Sequence, residues 1–126
     1  MIAKAILRYV RTSPSKARLV IDLVRGKTVE EAHFILDNTN KGVCPVIKKV
    51  LNSAFSNANL DKQEKYLTKE VFISRIKADV GPMLQRYRAA TMGRATAIRH
   101  RTAHIYIELD KVADTKPANK GKARSK

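Results

Sequence analysis

Residues 81–104 read GPMLQRYRAATMGRATAIRHRTAH. Five of them are arginines, Arg86, Arg88, Arg94, Arg99 and Arg101, and none is lysine, aspartate or glutamate. On both sides the pattern is that of a β-strand. Before the stretch, Phe72, Ile76, Ala78 and Val80 alternate with Ile73, Arg75, Lys77 and Asp79; after it, Ile105, Ile107 and Leu109 alternate with His104, Tyr106 and Glu108. A structureless loop of 24 residues is unusual inside a compact domain, and Gly93 supplies a left-handed turn residue near the middle. The stretch therefore predicts one long antiparallel hairpin whose strands continue past the globular body.

Residues 2–11 also alternate, with Ala3, Ala5, Leu7 and Tyr9 on one face, and predict a strand. Ser13 as cap, Pro14 at the first helical position and Gly26 at the left-handed stop bracket a helix. Its stripe is Ala17, Val20, Ile21 and Val24. Thr28 and Glu31 have capping-box spacing and open a second helix lined by Val29, Ala32, His33 and Leu36. A third helix is expected over residues 43–59, with Pro45 tolerated in its first turn and Val43, Ile47, Val50, Leu51, Ala54 and Ala58 buried. Its second half is rich in small residues, so another element can approach it closely. A polar loop follows over residues 60–65.

The expected fold is α+β: three helices packed on a small antiparallel sheet, with a protruding β-hairpin at about residues 81–104. Residues 1–110 form a single domain in this reading, and 111–126 a disordered tail with five Lys, one Arg and one Asp. The chain has 126 residues, enough for one domain, and 44% of them are hydrophobic, enough for a core. No apolar run approaches the roughly 18 residues of a membrane helix, and the N-terminus, entering a strand at once, shows no secretion signal or transit peptide. Cys44 is the single cysteine. That excludes an intrachain disulfide and a multi-cysteine zinc site, and fits a reducing cytosol.

With 26 basic and 11 acidic residues, a net charge of +15, the domain is expected to meet a polyanion. The hairpin arginines suit phosphate, because a guanidinium fork grips it bidentately and also stacks on bases. A solvated hairpin normally mixes both signs of charge; this one does not. A second cluster, Arg8, Arg11, Lys16 and Arg18, has no acid nearby before Asp22, and the helix start at Ser13 adds free N–H groups. Near the turn, Tyr87, Ala89, Ala90, Thr91, Met92 and Gly93 are small or uncharged, suited to a surface other than phosphate, or simply to a turn.

No phosphate loop, dinucleotide fingerprint, zinc-protease or paired-cysteine motif is present, so no cofactor, metal or small-molecule substrate is expected. His100 and His104 are four apart, about 13 Å in a strand, too far for one metal. His33 reads as a packing residue and Cys44 as a small buried one. Nothing supports a dyad between them, so an enzyme is not expected.

Several segments resemble one family in order along the chain: residues 11–20, RTSPSKARLV; residues 22–27, DLVRGK; Val50 to Ala54 with Asn57-Ala58; Gly81-Pro82; Gly93-Arg94-Ala95; and residues 101–105, RTAHI. They are similar to the bacterial ribosomal protein L twenty-two family of the large subunit, over about residues 3–110. The resemblance implies a structural, non-catalytic, cytoplasmic ribosomal protein that binds large-subunit rRNA, assists subunit assembly and lines the polypeptide exit tunnel with its hairpin. Its partners would be rRNA, neighbouring ribosomal proteins and the nascent polypeptide, with no membrane. Carried over, body contacts would be Arg8, Arg11, Ser13, Lys16, Arg18, Arg25 and Lys27, and hairpin contacts Arg86, Arg88, Arg94, Arg99, Arg101, Thr102 and His104. Tyr87 and Ala89 to Gly93 would form the tunnel-lining tip. Where the family commonly reads Pro-Arg-Ala-x-Gly-Arg, this chain has residues 89–94 as AATMGR, lacking a proline and a basic residue. The alternative is a free-standing basic RNA- or DNA-binding module outside the ribosome.

Overall fold

In a computed structural model of the chain, which describes residues 1–60 and 65–112, Ile105, Ile107 and Leu109 lie on the centre strand of a three-stranded sheet. The elements run β1 (Ala3–Val10), α1 (Pro14–Val24), α2 (Val29–Asn38), α3 (Cys44–Ala58), β2 (Val71–Val80), β3 (Leu84–Ala89), a single 3₁₀ turn (Thr91–Gly93), β4 (Ala95–His100) and β5 (Ala103–Lys111). The strand order is β1-β5-β2, antiparallel throughout, and β3-β4 is a separate two-stranded ribbon. The expected α+β fold is the observed one. Residue 111, assigned to the tail from its charge, closes β5; residues 113–126 of the expected tail lie outside the described residues.

The three helices cover one face of the sheet. Ile21, Ile47, Leu51, Ile73, Ile105, Ile107 and Leu109 are fully buried between the layers, each contributing about 1.5–3 kcal/mol of burial. Local chemistry explains the helices. The Thr28–Glu31 capping box is formed in both directions, and Gly26 takes the left-handed conformation with φ +74° that stops α1. Ser13 departs from expectation. It occupies the N-cap, but its hydroxyl meets Ser15 Oγ at 2.8 Å rather than a backbone N–H.

Two bulges reset faces that simple alternation had assigned. The β1–β5 register shifts between Leu7 and Val10, and Tyr9, with φ +58°, swings out to solvent. The Tyr9 N–H donates to His104 Nδ1 at 3.1 Å, and the two rings meet edge to face at 5.0 Å. In β2 a second shift falls between Ile73 and Arg75. It puts Ile73 on the same buried face as Ile76 and Ala78, whereas strict alternation placed it opposite; Val80 keeps the face of Ile76 and Ala78 but is exposed at the end of the strand.

The sheet edges are masked. On β2, Arg18 Nε donates to the Ala78 carbonyl at 3.2 Å, an Arg25 terminal nitrogen to Ile76 O at 3.5 Å, and Ile73 N to Lys27 O at 2.9 Å. On β1, the Asn57 amide of α3 donates to Lys4 O at 3.1 Å. These bonds occupy groups through which an edge strand would otherwise recruit another chain.

The predicted hairpin exists but is not continuous with the body sheet. Pairing is interrupted at residues 81–83 and 101–102. Pro82 has no N–H to offer a ladder. Gly81 N instead bonds Thr102 O at 2.9 Å, and Thr102 Oγ1 donates to Pro82 O at 2.5 Å. Gly81 has no room for a side chain, because a Cβ there would lie 2.4 Å from Thr102 Oγ1.

Candidate nucleic-acid interface

The register of β1 decides where the basic residues meet. Val10, its last residue, pairs with Ala103, the first of β5, and Thr12 N turns back onto Val10 O at 2.8 Å. The chain leaving β1 therefore runs beside the root of the ribbon. The result is an open cleft of about 390 Å³ lined by Arg11, Thr12, Ser13, Lys16, Arg99, His100 and Arg101. It brings together two groups of residues more than 80 apart in sequence, with no acid among the described residues of the lining. None of Arg11, Lys16, Arg99 or Arg101 has an ion-pair partner among the described residues. Pro14 heads α1 directly behind Ser13, so the free amides of the first helical turn add positive potential at this end. Such a site suits consecutive phosphates.

Arg11, Thr12 and Lys16 also belong to an adjoining cleft of about 670 Å³, whose remaining walls are Val10, Leu19, Lys41, Gly42, Val43 and Val46. Lys41 and Leu19 escaped the sequence reading. Leu19 was detectable: it lies outside the Ala17, Val20, Ile21, Val24 stripe and is 66% exposed. An apolar residue on the polar face of α1 was the signal.

The other expected contacts are distributed differently. Arg18 and Arg25 lie along the β2 edge; Arg25 also pairs with Asp22 at 3.1 Å. Lys27 lines a mixed patch with Glu30, Glu31 and Phe34. Arg8 is exposed on β1. Arg86 and Arg88 share one face of the ribbon, opposite Ile98 and Thr96, while Arg99, paired with Gln85, projects from the other. Arg101 lies beyond the end of β4, off the strand that carries Arg99.

Two expected rRNA contacts are engaged within the protein. Thr102 is buried and its hydroxyl is committed to Pro82. His104 is half-buried and its Nδ1 accepts the Tyr9 N–H. Both side chains belong to the joint between body and ribbon. Tyr87 is not at the tip either: it pairs with Ala97, two pairs before the ribbon ends at Ala89 and Ala95. The tip is residues 90–94, closed by Ala90 N to Arg94 O at 2.7 Å, with Met92 and Gly93 both at positive φ and Met92 98% exposed.

His33 is half-buried with an unpartnered Nδ1, and burial, reinforced by the Lys48 charge, holds its pKa below the usual imidazole range. Cys44 is buried in the core cluster. Among the described residues no group of three His, Cys, Asp or Glu side chains could hold a metal ion.

The sequence model described as "Ribosomal protein L22p/L17e" matches residues 5–110. Curated proteins named "Large ribosomal subunit protein uL22" are similar along most of their length. The one from Syntrophomonas wolfei is 50% identical over 111 residues, covering 86% of this chain and 95% of the relative. That from Halothermothrix orenii is 48% identical over 107 residues, covering 85% and 93%. That from Staphylococcus aureus is 49% identical over 109 residues, covering 85% and 90%. The matched span takes in the sheet, all three helices and the ribbon alike, and the chain belongs to the ribosomal protein L22p/L17e family.

Proposed function

We propose that the protein binds large-subunit rRNA through the acid-free cleft at the ribbon root, and that the ribbon extends along the polypeptide exit tunnel with residues 89–93 in its wall. As a member of this family it is a structural component of the large ribosomal subunit, not an enzyme, and it works in the cytoplasm among rRNA and other ribosomal proteins. The observation that carries the rRNA reading is the convergence of Arg11, Lys16, Arg99 and Arg101, none with an ion-pair partner among the described residues, on one cleft. Unpaired cations gathered in this way bind a polyanion by neutralising its phosphates and releasing the counterions condensed on them.

The tunnel reading rests on the ribbon's exposure and on its tip. Arg86, Arg88, Arg94 and Arg99 offer phosphate contacts on both faces, so RNA can flank the ribbon on either side. Of the tip residues, Ala90, Thr91, Met92 and Gly93 are uncharged, and a passing polypeptide would meet them without strong attraction, while Arg94 at the base of the turn is left for phosphate. Chemical footprinting of protein-free large-subunit rRNA with the full-length protein tests the first part. Protections that persist unchanged when Arg11, Lys16 and Arg99 are all replaced by alanine would overturn it.

A further inference from the structure

The two clefts share a wall. Arg11, Thr12 and Lys16 face the arginine cleft on one side, and on the other the larger cleft with an apolar floor of Val10, Leu19, Val43 and Val46. Lys41 adds a third cation to that rim, and no acidic side chain among the described residues lines it. A rim made only of cations points to a polyanion, and an apolar floor to something that leaves water readily. An uninterrupted RNA duplex offers phosphates, 2′-hydroxyls and a shallow groove, which would leave this floor empty. A nucleotide turned out of a loop or bulge offers a phosphate and an apolar base face together. The cleft volume falls in the range that holds small ligands.

We propose that this cleft seats the base of one unpaired rRNA nucleotide, with its flanking phosphates on Arg11 and Lys16. The proposal rests on the reading that the protein binds rRNA through the neighbouring arginine cleft. A strand crossing the shared wall places one phosphate between the clefts, its base over Leu19 and Val46, and its continuation on Arg99 and Arg101. Leu19 then explains itself: it is an apolar side chain left on the polar face of α1 because the RNA covers it.

The test uses the full-length protein and protein-free large-subunit rRNA, measuring affinity at several salt concentrations together with 2′-hydroxyl reactivity of each nucleotide. Leu19→Ala should weaken binding roughly five- to tenfold, the loss expected for uncovering one apolar contact. The salt slope should stay unchanged, because no phosphate contact is lost. One unpaired nucleotide, protected by the wild type, should regain reactivity. Leu23→Ala, also on the exposed face of α1 but outside the cleft, should bind normally. Since Leu19 is mostly exposed, its variants retain the core, and an unchanged thermal transition verifies this.

Full affinity in Leu19→Ala overturns the base seat, as does an equal loss in Leu23→Ala or a reactivity change confined to paired nucleotides. So does a cleft that becomes covered only when other ribosomal proteins are added, which would assign it to a protein neighbour. If Arg11→Ala and Lys16→Ala leave both affinity and salt slope untouched, the rRNA reading itself fails. If they flatten the slope while Leu19→Ala does nothing, only the base seat does.

Discussion

Thr102 Oγ1 donates a 2.5 Å hydrogen bond to the Pro82 carbonyl, linking the two chain crossings between body and ribbon. Gly81 completes the joint, with its N–H on Thr102 O. The joint orients the arginine ribbon relative to the arginine cleft, so it acts on function by position and not by contact.

Gly81→Ala should therefore destabilise the protein by about 1–3 kcal/mol, because the new methyl must displace a short, buried and bonded hydroxyl. Thr102→Ala alone should cost about 1 kcal/mol through the unpartnered Pro82 carbonyl. The pair should be less than additive, since removing Oγ1 removes the 2.4 Å clash. Urea unfolding of the two single variants and the double variant checks this; strictly additive losses would show that the two residues do not share the joint.

Arg18 and Arg11 should separate stability from binding. Arg18 bonds the β2 edge at Ala78 O, so Arg18→Ala should lose about 0.5–1 kcal/mol of stability as well as weakening RNA binding. Arg25, over half exposed with a longer bond to Ile76 O, should lose less. Arg11 has no side-chain partner among the described residues, so Arg11→Ala should keep wild-type stability and flatten the log–log salt dependence of RNA affinity by roughly 0.7–0.9. Thermal melts paired with salt titrations decide the matter, and a destabilised Arg11→Ala would contradict it.

The parts of this architecture that were legible are those written in one segment at a time. The Thr28–Glu31 box, Gly26, and the stripes of α1 and α3 each depend on neighbours within a few residues. So does the β5 alternation. The placements that were not legible depend on partners distant in sequence. The bulge that moves Ile73 onto the face of Ile76 is fixed by the β2–β5 register, and Tyr9 turns out because His104 holds its N–H. Thr102 reads as a polar residue in an arginine-rich stretch, and only the return of the chain past Pro82 turns its hydroxyl inward. The cleft itself follows from the Val10–Ala103 pair, which no local pattern announces.

His33 should make stability depend on pH in mildly acidic solution. Its pKa is lowered in the folded protein by burial and by the Lys48 charge, against opposing effects of Asp37 and Asn52. A lowered imidazole pKa means the unfolded chain takes up the proton first. Its contribution is thus fully present above about pH 6.5, and stability falls as the pH drops below that value towards the folded pKa. His33→Gln should remove this component, so the variant gains relative to wild type between about pH 7 and pH 5. Urea unfolding at both pH values measures the difference; a gap that does not change with pH would rule out His33 as the titrating group.

The ribbon should be thermodynamically independent of the body. Residues 85–97 are all exposed, and only Leu84, Ile98 and His100 among its strand residues are half-buried, so it has no core to resist opening. The body buries its apolar residues without using any residue between Ala78 and Ala103. Hydrogen exchange on the free protein should accordingly show fast exchange across residues 85–99 beside slow exchange at Ile105, Ile107 and Leu109. Replacing residues 84–100 with an Asn-Gly turn, while keeping Gly81, Pro82 and Thr102, should leave the melting transition of the body nearly unchanged. The shortened protein should still bind rRNA through Arg11, Lys16 and Arg101, with a smaller salt slope because Arg86, Arg88, Arg94 and Arg99 are gone. Subunits assembled with it should differ in the passage of nascent chains while the protein remains incorporated. Protection of the free ribbon equal to that of β5, or loss of the body's transition on shortening, would show that the ribbon is part of the folding unit.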